Sequence, residues 1–289
     1  HINTISTNDE GIKNLNNKHQ ADLFIDCSGF TSLLLDKTLK EPFKSYSNLL
    51  PNNKAWATSV LYTNKKKELK PYTNCTAIEN GWVWNIPSWD KIGTGYVYSD
   101  KNINYSKSVF NNIEMRVGRH KKFFVKNVCA IGLSAGFIEP LESNGLFSVH
   151  TFLMNLVKIL KRGNLSQWDR DSFNSKCTTM LDSFAEFVAL HYALSSRVDT
   201  PYWKEINNKS FYDNSLLDTE LKATMRCYMD DFDYFKSFAG THYISTGMNY
   251  FGVNVSEKQM PPDIDNCLKN RVATIKNWNS ICKKKPSLF

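Results

Sequence analysis

Two carboxylates, Glu139 and Glu142, sit in the apolar, glycine-rich stretch GLSAGFIEPLESNGLF, residues 132–147, just before a helical pattern. The first turn of a helix has unpaired backbone N–H groups and a partial positive charge. Asn144 and Gly145 can therefore present amides to a small anion, and Gly145 adds no side chain to obstruct it. Ser143 is placed to cap the helix. Glu142 follows an apolar run, where burial raises a carboxyl pKa unless a hydrogen bond or polar ligand meets it. Spacing leaves two readings open for Glu142, a helix-end acid and a catalytic carboxylate. Glu139, ahead of Pro140, reads as an exposed acid.

Rival chemistries lack their usual residues. His120, His150, His191 and His242 are scattered without metal-ligand spacing, so no metal ligands are assigned and each reads as structural. No Walker or H-E-x-x-H motif occurs.

The elements that must position this stretch follow from periodicity. LFSVHTFLMNLVKIL carries Leu146, Val149, Leu153, Leu156, Val157 and Leu160 at helical spacing and stops at Gly163 after Lys161 and Arg162, predicting a helix from near Leu146. MLDSFAEFVALHYALSS repeats the pattern with Leu181, Phe184, Phe187, Val188 and Leu194. Thr200 followed by Pro201 marks another helix start. Val125 to Ile131 reads as a strand, and Gly132 and Gly136 allow close backbone approach. Small residues at Ser134 and Ala135 would leave a flat ring unobstructed; close helix packing uses the same pattern.

Upstream, residues 1–20 are polar and Asn-rich. A short apolar strand at Leu23, Phe24 and Ile25 then ends in Asp26-Cys27-Ser28-Gly29. Such a strand end is either a ligand crevice, with Asp26 and Gly29 as candidate cofactor contacts, or a structural turn. KAWATSVLYT, GWVWNIPSW and GTGYVYS predict antiparallel strands between residues 54 and 99, with Ile86-Pro87 ending one of them. Trp82 and Trp84 alternate and share a face, as core or as a ligand platform.

Composition sets the outer bounds. A chain of 289 residues, 42% hydrophobic and 13% aromatic, is globular and long enough for a sizeable core. No stretch reaches the roughly 18 apolar residues of a membrane span. The seven cysteines are widely spaced without a C-x-x-C pair, which reads as a reducing, cytoplasmic setting. The net charge of +8 arises partly from the solvated runs 65–67 and 283–285, without an aromatic-interleaved basic stripe, so neither nucleic acid nor membrane is expected as a partner. The chain opens at His1 with no Met, charged n-region or apolar h-region, and reads as a truncated or processed polypeptide.

Taken together, ADLFIDCSGF, PYTNCTA, the W-x-W-x-I-P element GWVWNIP, GTGYVYS, MRVGRH, NVCAIGLSAGFIEPLES and LHYALSSRVDTPYW resemble the flavin-dependent tryptophan halogenases. The order and spacing of these elements match along most of the chain.

The resemblance implies an α/β (mixed α+β) fold of the flavin monooxygenase type, partial here, with an antiparallel substrate-side sheet and a helical C-terminal region. It divides the chain into a remnant of the FAD-binding domain (1–45), the substrate-side sheet (46–119), a return segment for FAD and halide (120–163) and a helical substrate-binding region (164–289). The implied activity is chlorination or bromination of tryptophan, another indole or another electron-rich aromatic through hypohalous acid. FADH2 comes from a separate reductase. A flavin monooxygenase of the same fold and a non-catalytic aromatic-binding remnant are the alternatives.

By match to the motif, Glu142 assists the halogenating species with Ser143 beside it, Leu133 and Leu146 contact the flavin, and the backbone of Asn144 and Gly145 cradles the halide. The family usually has Thr in place of Asn144. Trp82 and Trp84 match tryptophans that crowd the flavin, and His242 and Tyr243 match the substrate wall loosely. The family's G-x-G-x-x-G and essential-lysine segments are absent. The chain alone is therefore expected to bind flavin poorly and to halogenate little. A homodimer is one expected assembly.

Overall fold

The computed structural model describes residues 1–102, 113–193 and 197–206. Strands β1 (Ile5–Asn8) and β2 (Gly11–Leu15) form an antiparallel hairpin, followed by β3 (Phe24–Asp26) and β4 (Phe43–Ser45). Strand β5 (Lys54–Leu61), a one-turn helix α1 (Lys65–Glu68), β6 (Asn74–Ile78), β7 (Gly81–Pro87) and β8 (Lys91–Tyr98) come next. Short strands β9 (Ile113–Glu114), β10 (Gly118–His120), β11 (Phe124–Val125), β12 (Val128–Ala130) and β13 (Gly136–Phe137) lead to the helices. These are α2 (Asn144–Leu160), α3 (Gln167–Ala193) and α4 (Pro201–Ile206). The fold is mixed α/β, as the sequence suggests.

The largest sheet has the order β6-β7-β8-β5-β9 and is antiparallel throughout. Its strands are the Val-, Tyr- and Trp-rich runs whose branched and aromatic side chains suit a pleated surface, and Pro87, with no N–H to donate, ends β7 as expected. Trp82 and Trp84 share a face of β7, their ring centroids 5.9 Å apart. Two three-stranded sheets, β11-β12-β3 and β13-β10-β4, carry the site; β12 runs parallel to β3, with Val128 opposite Phe24.

Helix α3 clamps the β11–β12 hairpin. The Asn174 Oδ1 accepts from the amides of Phe123 and Phe124, both at 2.8 Å, and its Nδ2 donates to the Phe124 carbonyl at 2.9 Å. Phe123, Phe152 and Phe173 pack edge to face, with centroids 5.0 and 5.7 Å apart along the chain of contacts. Fully burying each ring is worth about 1.5–3 kcal/mol, and together they fasten α2 and α3 to the sheet beneath the site.

Local geometry corrects several sequence expectations. The polar stretch 1–20 holds the β1–β2 hairpin, whose turn ends at Gly11 with φ 125°, a conformation that favours glycine. The expected single strand from Val125 to Ile131 is two strands, because Lys126 takes a left-handed φ of 55° and reverses the chain. Helix α2 starts at Asn144 rather than near Leu146, and its buried face is Phe152, Leu156 and Ile159; Leu146, Leu153 and Val157 of the expected stripe are exposed. The start of α4 at Pro201 agrees with expectation, the Trp203 amide donating to Thr200 Oγ1 at 3.3 Å. Leu194 and the Phe187 side chain lie outside the described residues. No helix among the described residues is long and apolar enough to cross a membrane.

Candidate functional site

Strand β12 delivers the chain to a tight turn at Gly132–Ser134, where Gly132 has φ 74°. Ser134 and Ala135, which the sequence offers as an open face for a flat ring, are buried instead. The Ser134 hydroxyl donates to the carbonyls of Asp26 and, at 2.9 Å, Ile131, while its own carbonyl accepts from Ser32 Oγ at 2.8 Å. Small residues here serve the close approach of two turns. Asp26 completes that joint: its carboxylate accepts from the amides of Ser28, Leu34 and Leu35 at 3.0, 2.8 and 2.9 Å and from Ser28 Oγ at 2.6 Å. Gly29 adopts φ 69°, with nothing within 4 Å of the place a Cβ would take.

Beyond β13 the chain forms a short turn, Pro140–Glu142, closed by the Ser143 amide donating to the Pro140 carbonyl at 3.0 Å. Ser143 was expected to cap α2 through its side chain. It stands at the N-cap position but takes a left-handed φ of 53° and makes no side-chain capping bond. A capping hydroxyl works from extended backbone, and the left-handed turn removes that geometry. The first amides of α2 are therefore free of that competitor.

At this helix mouth lies a cavity of about 280 Å³. Leu133, Asn144, Gly145 and Leu146 line it together, with Gly132 beside them and Leu181 and Phe184 of α3 on the far wall. A Cβ added at Gly145 would meet nothing within 4 Å, so the space beside its backbone is open. Leu133 and Leu146 are 44% and 75% exposed, leaving apolar surface at the mouth. Asn144 is only 7% exposed, and its Nδ2 is buried with no hydrogen-bond partner among the described residues. An unpaired buried donor costs about 1–3 kcal/mol, which an acceptor bound at the helix mouth would recover. Open backbone, a helix N-terminus and apolar walls suit a halide beside a flat, largely apolar ring system.

Behind the cavity lies a cluster the sequence reading missed. Glu139, expected to be exposed, is fully buried. Its Oε2 accepts from Asn52 Nδ2 at 2.8 Å, from Trp82 Nε1 at 3.2 Å and from the Tyr192 hydroxyl. That hydroxyl in turn accepts from Asn52 Nδ2 and Trp82 Nε1, both at 2.9 Å, and Asn52 Oδ1 accepts from the Tyr202 hydroxyl at 2.9 Å. Burial, and then the Glu139 charge, push the Tyr192 phenol well above its ordinary pKa, so it stays a donor. A carboxylate survives in such an interior because donors from distant parts of the chain replace water. The only local sign was its place at the end of the apolar run 135–138.

The remaining site residues are dispersed. Trp82 is buried and bound to Glu139, and Trp84 packs at the edge of the core; neither lines the cavity. His120 is buried, with Nδ1 3.1 Å from the Glu41 carbonyl oxygen. Among the described residues no group of three or more His, Cys, Asp and Glu could hold a metal ion. The side chain of Glu142, and His242 and Tyr243 entirely, lie outside the described residues.

Comparison with known proteins gives one consistent result. The tryptophan halogenase family model matches residues 1–272. A tryptophan 6-halogenase from Streptomyces toxytricini is 40% identical over 207 residues, 66% of this chain and 40% of that protein. A tryptophan 7-halogenase from Kutzneria sp. (strain 744) is 35% identical over 252 residues, 80% of this chain and 47% of that protein. The crystal structure of the Streptomyces toxytricini enzyme superposes with a TM-score of 0.68 at 33% identity, covering 78% of this chain and 47% of that one. The chain spans less than half the length of these relatives. A family match over residues 1–272, together with relatives of this identity, leaves one conclusion: the chain belongs to the tryptophan halogenase family.

Proposed function

We propose that this chain serves FADH2-dependent chlorination or bromination of an electron-rich aromatic, tryptophan or a related indole. The observation that carries the reading is the meeting of Leu133, Asn144, Gly145 and Leu146 around one cavity at the mouth of α2. Residues 120–163 act as the segment that meets flavin and halide, residues 46–119 as the substrate-side segment, residues 1–45 as part of the flavin-binding domain and residues 164–289 as the substrate-binding region.

Bound reduced flavin, together with dioxygen, supplies the two-electron oxidation that turns halide into hypohalous acid. The chain's own residues do the rest. Leu133 and Leu146 offer apolar surface to the ring system and exclude water from it. The amides of Asn144 and Gly145 hold the halide at the positive end of the helix, with Asn144 Nδ2 as an added donor. Glu142, on the turn ahead of Ser143, orients the halogenating species toward the aromatic, and Trp82, bonded to Glu139 with Trp84 packed beside it, braces the sheet side from behind. His242 and Tyr243 contribute to the substrate wall. A separate reductase supplies the reduced flavin. The cysteines Cys27, Cys129 and Cys177 are free thiols, which suits a reducing, cytoplasmic setting.

The test incubates the full-length protein with a flavin reductase, FAD, chloride or bromide and a panel of indoles and phenols, and reads products by mass spectrometry. Halogen incorporation that requires flavin and halide is the expected result. Products that gain oxygen but never a halogen would overturn this reading in favour of a monooxygenase.

A further inference from the structure

We propose that Glu139 is a positioning residue, its buried carboxylate fixing the Pro140–Glu142 turn, and so the Glu142 backbone, against the sheet and the helices α3 and α4. Three elements converge on one carboxylate oxygen: Asn52 ahead of β5, Trp82 of β7 and Tyr192 of α3. Tyr202 of α4 locks Asn52 from the other side at 2.9 Å. These partners lie 87, 57 and 53 residues from Glu139 in sequence, so the anchor gathers the fold around one point of the chain.

What leaves that point is stiff. Pro140 fixes its own φ, the Ser143 amide closes the turn on the Pro140 carbonyl at 3.0 Å, and α2 begins directly at Asn144. Glu139 itself is extended, with φ −51° and ψ 146°. A shift at Glu139 is therefore carried through a rigid turn to Glu142 and to the helix mouth.

Ordinary core glue would not be built this way. Burying a carboxylate is costly even when it is fully bonded, and hydrophobic replacement of buried ionic groups is often neutral or stabilising. Glu139 instead supplies one acceptor that three donors of different origin must all reach. Such an arrangement fixes a location. The catalytic consequence rests on the halogenase reading, and the anchoring does not.

The test compares Glu139→Gln, which keeps an acceptor oxygen without the charge, with Glu139→Met, which keeps volume but no acceptor, in the full-length protein. Amide hydrogen exchange is read across 140–147 and, as a control, across β5 and β8. In the Met variant, exchange in the turn is expected to accelerate about tenfold or more while β5 and β8 keep their rates. In halogenation of an accepted indole, kcat is expected to fall about a hundredfold with KM within a few-fold, the effect of a misplaced catalytic group, and Gln restores most of it. Where the Met variant does not fold, Tyr192→Phe removes one donor from the cluster and is expected to raise exchange in the same segment by a smaller factor.

Equal acceleration in the turn and the control strands would overturn the proposal, as would unchanged exchange in the turn or an unchanged kcat. Absence of halogenation by the wild-type protein would sink the functional reading, while the exchange measurement would still decide the anchor.

Discussion

Polar side chains around the helix mouth divide into those the fold saturates and one it leaves open. Asp26 accepts four hydrogen bonds, two from Ser28 and two from the amides of Leu34 and Leu35, and Asn52 engages both ends of its carboxamide. Asn144 has a buried Nδ2 with no partner among the described residues. If that donor and the neighbouring amides receive the halide, a carboxylate at the same position would occupy the helix N-terminus itself and repel the anion. Asn144→Asp is therefore expected to raise the bromide concentration for half-maximal turnover about tenfold, on the order of 1.4 kcal/mol, with a lowered melting temperature because a carboxylate at this buried position loses its hydration. Bromide titrations of the two full-length proteins check it, and identical half-saturation would remove Asn144 from the halide site.

At the level of elements, the antiparallel sheet depends on a missing side chain in β8. Gly95 of β8 lies opposite Trp84, and a Cβ there would fall 2.1 Å from the Trp84 ring and 2.5 Å from the Trp56 carbonyl oxygen. Gly95→Ala forces the indole off its seat, an overpacking cost of about 1–3 kcal/mol, with changed near-ultraviolet circular dichroism from Trp84 and its neighbour Trp82. A wild-type spectrum and urea midpoint in that variant would refute this account of the seat. Strands β5, β7 and β8 and helices α2 and α4 were legible in the sequence because their signals are local: branched and aromatic runs, helical spacing, Pro87 and Pro201. The face that α2 buries was not, since Leu146, Leu153 and Phe152 carry the same hydrophobic signal and their tertiary partners, Phe123 and Phe173 of α3 against Phe152, select among them. Nor was the break at Lys126, an ordinary lysine in a left-handed turn. Grouping of Leu133, Asn144, Gly145 and Leu146 was readable as motif. Burial of Glu139 was not, because its donors are set by chain topology and not by neighbours in sequence.

At the scale of the whole molecule, two groups at β10, His120 and the Asp182 carboxyl bound to Arg119, tie stability to pH in the same direction. Burial, and more weakly the Arg116 charge, hold the His120 imidazole below its ordinary value of 6.5, against the opposing pull of the Glu41 carbonyl and Asp36. Burial pushes the Asp182 carboxyl up, but hydrogen bonds from Arg119 at 2.7 and 2.8 Å and from Tyr46 at 2.5 Å outweigh it and leave the carboxyl below its usual 3.8. Both folded-state values are depressed, so in acid the unfolded chain binds more protons than the folded one. The stability each group contributes is present above its unfolded value and is lost as pH falls toward its folded value, first for His120 below 6.5 and then for Asp182 below 3.8. Because β10 carries both Arg119 and His120, these losses fall on the strand that joins β4 to β13 and supports the turn leading to Glu139. Denaturant unfolding of the wild type between about pH 7 and pH 5 is expected to show stability falling with acidification, the His120 share being at most about 1.4 kcal/mol per pH unit for a single proton. His120→Gln removes that proton and flattens the dependence in this range, while the loss below 3.8, carried by Asp182, persists. Parallel curves for the two proteins between pH 7 and pH 5 would show that His120 titrates alike in the folded and unfolded chains, and the acid sensitivity of this strand would then have to come from the Asp182 carboxylate bound to Arg119.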